Sequence, residues 1–206
     1  MKVFGFILLA FFGLLVVGGG MAACAGVGTY NSLQTMNKEV DGRWAQVENA
    51  YQRRMDLIPN LVETVKGYAN FEHDTFKDIA EARAKVGQMN FKVENLTQEN
   101  IDKMTQLQNS LGGAVNRLMV QAAENYPQLM ANEGFRDLRA ELAGTENRIA
   151  VERREFNKAA QAFNTAIVVF PSNFVANFAG LKERPLFKAE EGANKAPKVD
   201  FSNHKK

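Results

Sequence analysis

One cysteine, two histidines and five prolines in 206 residues close off several functions before any motif is sought. The lone cysteine, Cys24, can form neither an intrachain disulfide nor a cysteine-cage metal site. His73 and His204 leave little material for imidazole catalysis or metal ligation. An excess of one charge sign is lacking too. Lys and Arg total 25 against 23 Asp and Glu, a net charge of +2, which is too near neutrality for a dedicated phosphate-backbone binder, so nucleic acid is not an expected partner. No G-x-S-x-G, H-E-x-x-H or Walker pattern occurs. What remains, 46% hydrophobic and 23% charged residues, is ordinary globular usage in a chain long enough to bury a core and carry an appendage.

The first thing present is a charge-free leader. No charged residue occurs between Lys2 and Lys38. The run Val3 to Val17 is apolar on every face and is followed by the small residues Gly18 to Ala25. A stretch of about 20 such residues rises about 30 Å as a helix and matches the hydrocarbon thickness of a bilayer. Residues 1–29 therefore read as a membrane anchor that touches lipid. Three forms of it compete: an uncleaved transmembrane helix, favoured by the length match; a lipoprotein signal, because Met21-Ala22-Ala23-Cys24 resembles a lipobox with Met where Leu is usual; and a cleaved secretory signal. Cys24 is the lipid attachment candidate under the second. The resemblance of the leader to an export signal places the body on the extracytoplasmic side.

From residue 30 to about 170 the chain reads as helix, rich in Ala, Glu, Gln, Lys, Arg, Leu and Met. Phe135, Leu138, Leu142, Thr145, Ile149, Glu152, Phe156, Ala159, Phe163, Ala166 and Phe170 alternate spacings of three and four. That is a heptad seam of coiled-coil type with Thr145 and Glu152 as polar interruptions. Val40, Trp44, Val47 and Tyr51 form a second stripe. Leu61, Val65, Tyr68, Glu72, Phe76, Ile79, Arg83 and Val86 form a third, past an expected bend at Ile58-Pro59. Tyr30 to Val86 is either two helices or one long bent one. A turn is expected over Gly87 to Asn95. A middle helix then points Ile101, Met104, Leu111, Val115, Leu118 and Ala122 inward, weakened by Gly112-Gly113. Asn125-Tyr126-Pro127 marks a break, and Asn132 caps the last long helix. The fold class is all-α: an N-terminal transmembrane helix followed by an antiparallel bundle of long helices over residues 30–187. Phe174, Val175, Phe178, Leu181, Leu186 and Phe187 form an aromatic-rich segment that packs on the bundle base, lies on a membrane or docks a partner. Residues 188–206 are polar and read as a disordered tail.

Several strings are more specific than periodicity. They are Tyr30-Asn31-Ser32-Leu33; Trp44-Ala45-Gln46-Val47; the run Gln52-Arg53-Arg54-Met55-Asp56-Leu57-Ile58-Pro59-Asn60-Leu61 continuing to Tyr68; Glu81-Ala82-Arg83-Ala84; Glu141 to Ala150; Glu152-Arg153-Arg154-Glu155-Phe156-Asn157; and Phe163-Asn164. Together they resemble the LemA family of bacterial proteins over about residues 30–187. The resemblance implies a membrane anchor and a four-helix bundle, and no established enzyme activity, cofactor or substrate. Phe71-Glu72-His73 departs from the family's usual His-Glu order.

Candidate chemistry is sparse. Glu72, His73 and Asp74 are sequence neighbours about 100° apart on a helix and do not converge on a metal. Catalytic, cofactor-binding and metal residues are accordingly none. Charges on apolar seams are more informative. Arg53, Arg54, Asp56, Glu72, Arg83, Glu146, Glu152 and Arg153 are assigned to an interhelical network that fixes helix register, with Glu72–Arg153 as its test pair, since a buried charge persists only when paired. The favoured function is a non-enzymatic, membrane-anchored scaffold, self-associating as a homo-oligomer or binding an unknown protein partner. Membrane remodelling through the aromatic segment, and accessory service to a membrane enzyme or signalling system, are the alternatives.

Overall fold

The structure, a computed structural model, describes residues 2–67, 73–89 and 96–188. Among these the regular elements are all helices. The first, α1, runs from Lys2 to Lys66 without a break, about 98 Å at 1.5 Å per residue. Pro59 lies inside it. The helix survives the missing amide donor because Leu57, Ile58 and Leu61 bury in the core beside it. Its last turn closes at Gly67, whose amide donates to Glu63 O at 3.0 Å. Of the two expectations for residues 30–86, two helices is the one observed: α2 (His73–Gly87) begins afresh. Tyr68 and Glu72 lie outside the described residues.

Thr97 caps α3 (Gln98–Asn125), its hydroxyl accepting from the Asn100 amide. Pro127 opens the single turn α4 (Pro127–Met130). Asn132 caps α5 (Glu133–Val168) by accepting from the Phe135 amide at 2.9 Å. A short α6 (Ser172–Phe178) follows.

Contacts along these helices fix their directions. Trp44 packs on Phe156, while Arg53 pairs with Glu141, so α5 runs antiparallel to α1. Thr75 bonds Gln121 and Asp78 pairs with Arg117, so α2 and α3 are antiparallel. Lys66 sits over Phe76 and Arg83 reaches Met55 O, so α2 descends along α1. The result is an up-down-up-down bundle of α1, α2, α3 and α5.

The core falls into two clusters. The anchor-proximal one joins Leu33, Val40, Trp44, Val47 and Tyr51 of α1 to Ile101 of α3 and Ile149, Phe156, Phe163 and Ile167 of α5. The distal one joins Leu57, Leu61 and Val65 to Ile79, Val86, Leu111, Leu118, Leu129, Phe135 and Leu142. The α1 and α3 stripes bury as the spacing predicts. Two other phases differ. On α5 the buried positions continue as Phe156, Ala160, Phe163 and Ile167, with Ala159 and Ala166 only partly buried beside them, because a helix drifts about 20° per heptad from a strict seven-residue repeat; Phe170 lies past Val168, where α5 ends. On α2, Ile79 and Val86 bury as the spacing predicts, but Ala82 buries in place of Arg83, which is exposed. Positions 82 and 83 flank the line from Ile79 to Val86 at about 50° on either side, and the apolar one takes the core.

Candidate functional site

Between the two apolar clusters lies a polar layer built by three helices. Tyr51, Arg53 and Arg54 come from α1, Thr105, Gln108 and Gly112 from α3, and Glu141, Glu146 and Arg153 from α5. Arg54 is its centre. Its side chain is 7% exposed and pairs with Glu146, which is 52% exposed. Its Nη1 donates to Gln108 Oε1 at 3.5 Å. Burial lowers the Arg54 pKa and the Glu146 carboxylate works against that fall. A Cβ added at Gly112 would run into the Arg54 guanidinium, so this glycine is the slot through which a charged group enters the bundle. Burial likewise raises the Tyr51 pKa, with the Arg153 and Arg54 charges opposing.

The layer costs stability as well as giving order. The Tyr51 hydroxyl, Gln108 Nε2 and Arg153 Nε are buried without a hydrogen-bond partner among the described residues, and each such group carries a desolvation penalty. Arg53 and Glu141, 62% and 39% exposed, form a pair of the surface kind that contributes little. They line an open furrow between α1 and α5 with Gln46, Arg148 and Glu152. Of the other residues assigned to the network, Asp56 accepts from Gln52 on the surface at 2.7 Å and Arg83 donates to Met55 O at 3.4 Å. Arg153 donates to Thr105 Oγ1 at 2.8 Å and lies 4.5 Å from the Phe187 ring centroid. The structure thus brings Arg53, Arg54, Glu146, Glu152 and Arg153 to the α1–α3–α5 side, and leaves Asp56 and Arg83 on the surface. Glu72, named as the partner of Arg153, lies outside the described residues, as does the His73 side chain. Cys24 is exposed on α1.

A second feature is absent from the sequence expectations. After α6 the chain reverses through Gly180, at φ +66°, where the Leu181 amide donates to Ala176 O at 3.0 Å. This closes the helix in the glycine-dependent way. Residues 181–188 then form an extended strap along α5. Three side-chain amides clamp its backbone at two points each. Asn164 holds Arg184 at 2.7 and 2.8 Å, Asn157 holds Phe187 at 2.7 and 2.8 Å, and Gln98 holds Leu186 at 2.8 and 3.1 Å. These clamps stand in for the sheet partner that an extended strand lacks. Arg184 ties the strap to α1, donating to Asn37 Oδ1 at 2.7 and 2.9 Å and to Asp41 at 2.7 Å. Phe187 enters the core, stacked on Trp44 with centroids 6.1 Å apart and edge-on to Phe156 at 5.5 Å. Lys188 reaches Asp102 at 2.6 Å, and that contact with Gln98 lowers the Asp102 pKa.

The rise of the strap matches the spacing of its clamps on α5, a register that shows only once the strap is placed. Asn157 and Asn164 are seven apart, about 10.5 Å of helix, and three extended residues from Arg184 to Phe187 span about 10 Å.

Among the described residues no three His, Cys, Asp or Glu side chains gather as a metal site would need. The fold and these surfaces define a class: a four-helix bundle carried on an apolar helix long enough to cross a membrane, latched by a C-terminal strap. The family model of the LemA family matches residues 43–201, and the chain belongs to that family. It is similar to Magnetosome protein MamQ 1 and MamQ 2 of Paramagnetospirillum magneticum, 28% identical over 185 residues covering 82% of this chain and 67% of theirs. It is similar to Magnetosome protein MamQ of Magnetospirillum gryphiswaldense, 28% identical over 175 residues, 77% of this chain and 64% of that one. It is also similar to Protein LemA of Metamycoplasma hominis, 28% identical over 165 residues, 80% of this chain and 71% of that one.

Proposed function

We propose that this LemA-family protein is a non-enzymatic, membrane-anchored scaffold whose outer surfaces bind a second copy or a protein partner. One observation carries this. The helix that holds the apolar segment is the same helix that supplies Val40, Trp44, Val47, Leu57 and Leu61 to the core. Anchor and body share one rigid element, with no linker to let the body tumble, so the bundle's faces stand at a fixed height above the bilayer. A reaction would gain nothing from that restraint; an assembly would. The open furrows between helices, and relatives named Magnetosome protein MamQ rather than for a reaction, support the same role. The body faces the extracytoplasmic side in this proposal, with the leader acting as its export signal.

Blue-native electrophoresis of the full-length protein, extracted from membranes with mild detergent and cross-linked beforehand, tests it. The expected result is a discrete species heavier than the 22.9 kDa chain plus its detergent. A monomer that captures no second protein after cross-linking would refute the scaffold role.

A further inference from the structure

From the charge-free base of the bundle we infer that α6 and the end of α5 form a second membrane contact, seated in the interfacial layer of the same bilayer that α1 enters. The inference rests on α1's apolar segment being a membrane anchor. It adds that the body does not stand clear of the lipid.

Two long charge-free intervals occur in the chain. One runs from Val3 to Asn37, the other from Ala159 to Leu181. They are far apart in sequence, yet the fold sets their boundaries side by side. Arg184 bonds Asn37 and Asp41 on α1 through its guanidinium and Asn164 on α5 through its backbone. One cross-section of the bundle therefore contains the first charges of α1, at Lys38 and Asp41, and those of the strap, at Lys182 and Arg184. Toward the anchor from that level, α5 and α6 carry no ionised side chain and α1 carries none before Lys2 at its far end. Leu33, Ile167 and Ala176 belong to the anchor-proximal core cluster, and Ile167 lies three residues beyond Asn164, so the end of α5 reaches about 5 Å past the Asn37 level toward Leu33.

The outer face of this base is apolar without a partner. Val168, Val169, Phe170, Phe174 and Phe178 are all exposed, Phe178 by 95%, and Phe170 and Phe174 meet edge to face at 5.9 Å. Ordinary soluble surfaces scatter such residues singly; five within eleven residues at one end of a bundle mark a contact. The occupant follows from position. The charge-free interval of α1, Val3 to Asn37, rises about 52 Å as helix, against about 40–45 Å for a bilayer with both headgroup layers. With Lys2 at the far edge, the near headgroup layer ends at about residues 29–32, within a turn of Leu33. The α5–α6 corner, about one turn beyond Asn164 toward the anchor, falls at the edge of that layer. Its rings enter the interface while exposed Lys182 on the rim faces lipid phosphates.

Site-directed spin labelling of the full chain in a Cys24→Ser background, reconstituted in phosphatidylethanolamine–phosphatidylglycerol vesicles, tests the seat. Single cysteines replace Val17, Phe174, Phe178 and, at the far end of the bundle, Glu133. All four positions are exposed, so the fold tolerates them. Collision with oxygen, which concentrates in lipid, is compared with collision with a water-soluble nickel chelate. The expected result is an oxygen-to-nickel ratio several-fold higher at Phe174 and Phe178 than at Glu133, approaching that at Val17. A high ratio at Val17 with Phe178 matching Glu133 overturns the seat and leaves the anchor standing. A low ratio at Val17 overturns both. Labels at Phe174 and Phe178 that are shielded from both reagents, with dipolar broadening relieved by unlabelled protein, overturn the seat in favour of a second copy covering the face.

Discussion

Two adjacent glycines in the middle of α3 allow the polar layer to be weighed against its own internal control. Gly112→Ala and Gly113→Ala each add one methyl group, restrict the unfolded chain equally and should each gain about 1 kcal/mol of helix propensity. At Gly113 the nearest outside atom to a new Cβ is Arg117 Nη1 at 3.8 Å, an ordinary contact, so the gain is realised. At Gly112 the new methyl occupies the place of the Arg54 guanidinium. Displacing a buried charge from its partner costs about 3–5 kcal/mol when both are buried. Because Glu146 is half-exposed, the loss here is about 2–3 kcal/mol, leaving Gly112→Ala net destabilising by about 1–2 kcal/mol. The two variants should therefore differ by about 2–3 kcal/mol, or about 4–12 °C in Tm for a chain of this size. Thermal melting of the full-length protein in detergent, followed by far-ultraviolet circular dichroism, reads this directly. In an Arg54→Met background the penalty at Gly112 should vanish. Equal stabilisation by both alanines in the native background would show that Arg54 does not need the slot, and the account of the layer would fail.

Other outcomes follow from the strap and the surface. Phe187→Ala removes a ring held between Trp44 and Phe156 and should cost about 3–5 kcal/mol, read as a lower melting temperature together with faster proteolysis after Gly180. The Asp102 pKa is lowered in the folded protein from an ordinary 3.8. Its contribution to stability is therefore fully present above that value and is lost as pH falls through the lower folded one. Amide exchange in residues 181–188 should differ between wild type and Asp102→Asn at pH 6, and the difference should shrink as pH falls from 3.8 through the lowered folded value; a difference that stays constant with falling pH would exclude the carboxylate as its source. Arg53→Gln, at an exposed pair, should change stability by under about 1 kcal/mol, whereas a much larger loss would place Arg53 among the buried charges.

Much of the bundle is legible in the chain because it is written in contiguous periodicity. Val40, Trp44, Val47 and Tyr51, like Ile101 through Ala122 on α3, carry their burial in spacing alone. Asn132 and Pro127 mark helix starts by local chemistry. What spacing cannot carry is the choice between two positions that flank a seam equally, or the point at which a helix stops. A strict three-four alternation puts Arg83 on the α2 seam, where Ala82 buries instead. The same alternation puts Phe170 on α5, which ends at Val168. The strap was illegible for another reason. Its clamps, Gln98, Asn157 and Asn164, look like ordinary surface amides and act on a backbone 20 to 88 residues away. Gly112 looked like a weakness in α3 because the arginine it admits belongs to a different helix.

The unbroken course of α1 gives the protein the mechanics of a screw. With no joint between residues 26 and 37, each residue removed there lowers the bundle by about 1.5 Å and turns it by about 100° about the helix axis. A single deletion thus swings the α5–α6 corner from one compass bearing to another, while a deletion of seven nearly restores the bearing and sinks the body by about 10.5 Å. Azimuth and depth become separately adjustable by chain length alone, and natural variation in that stretch would re-aim the protein without altering any contact inside it.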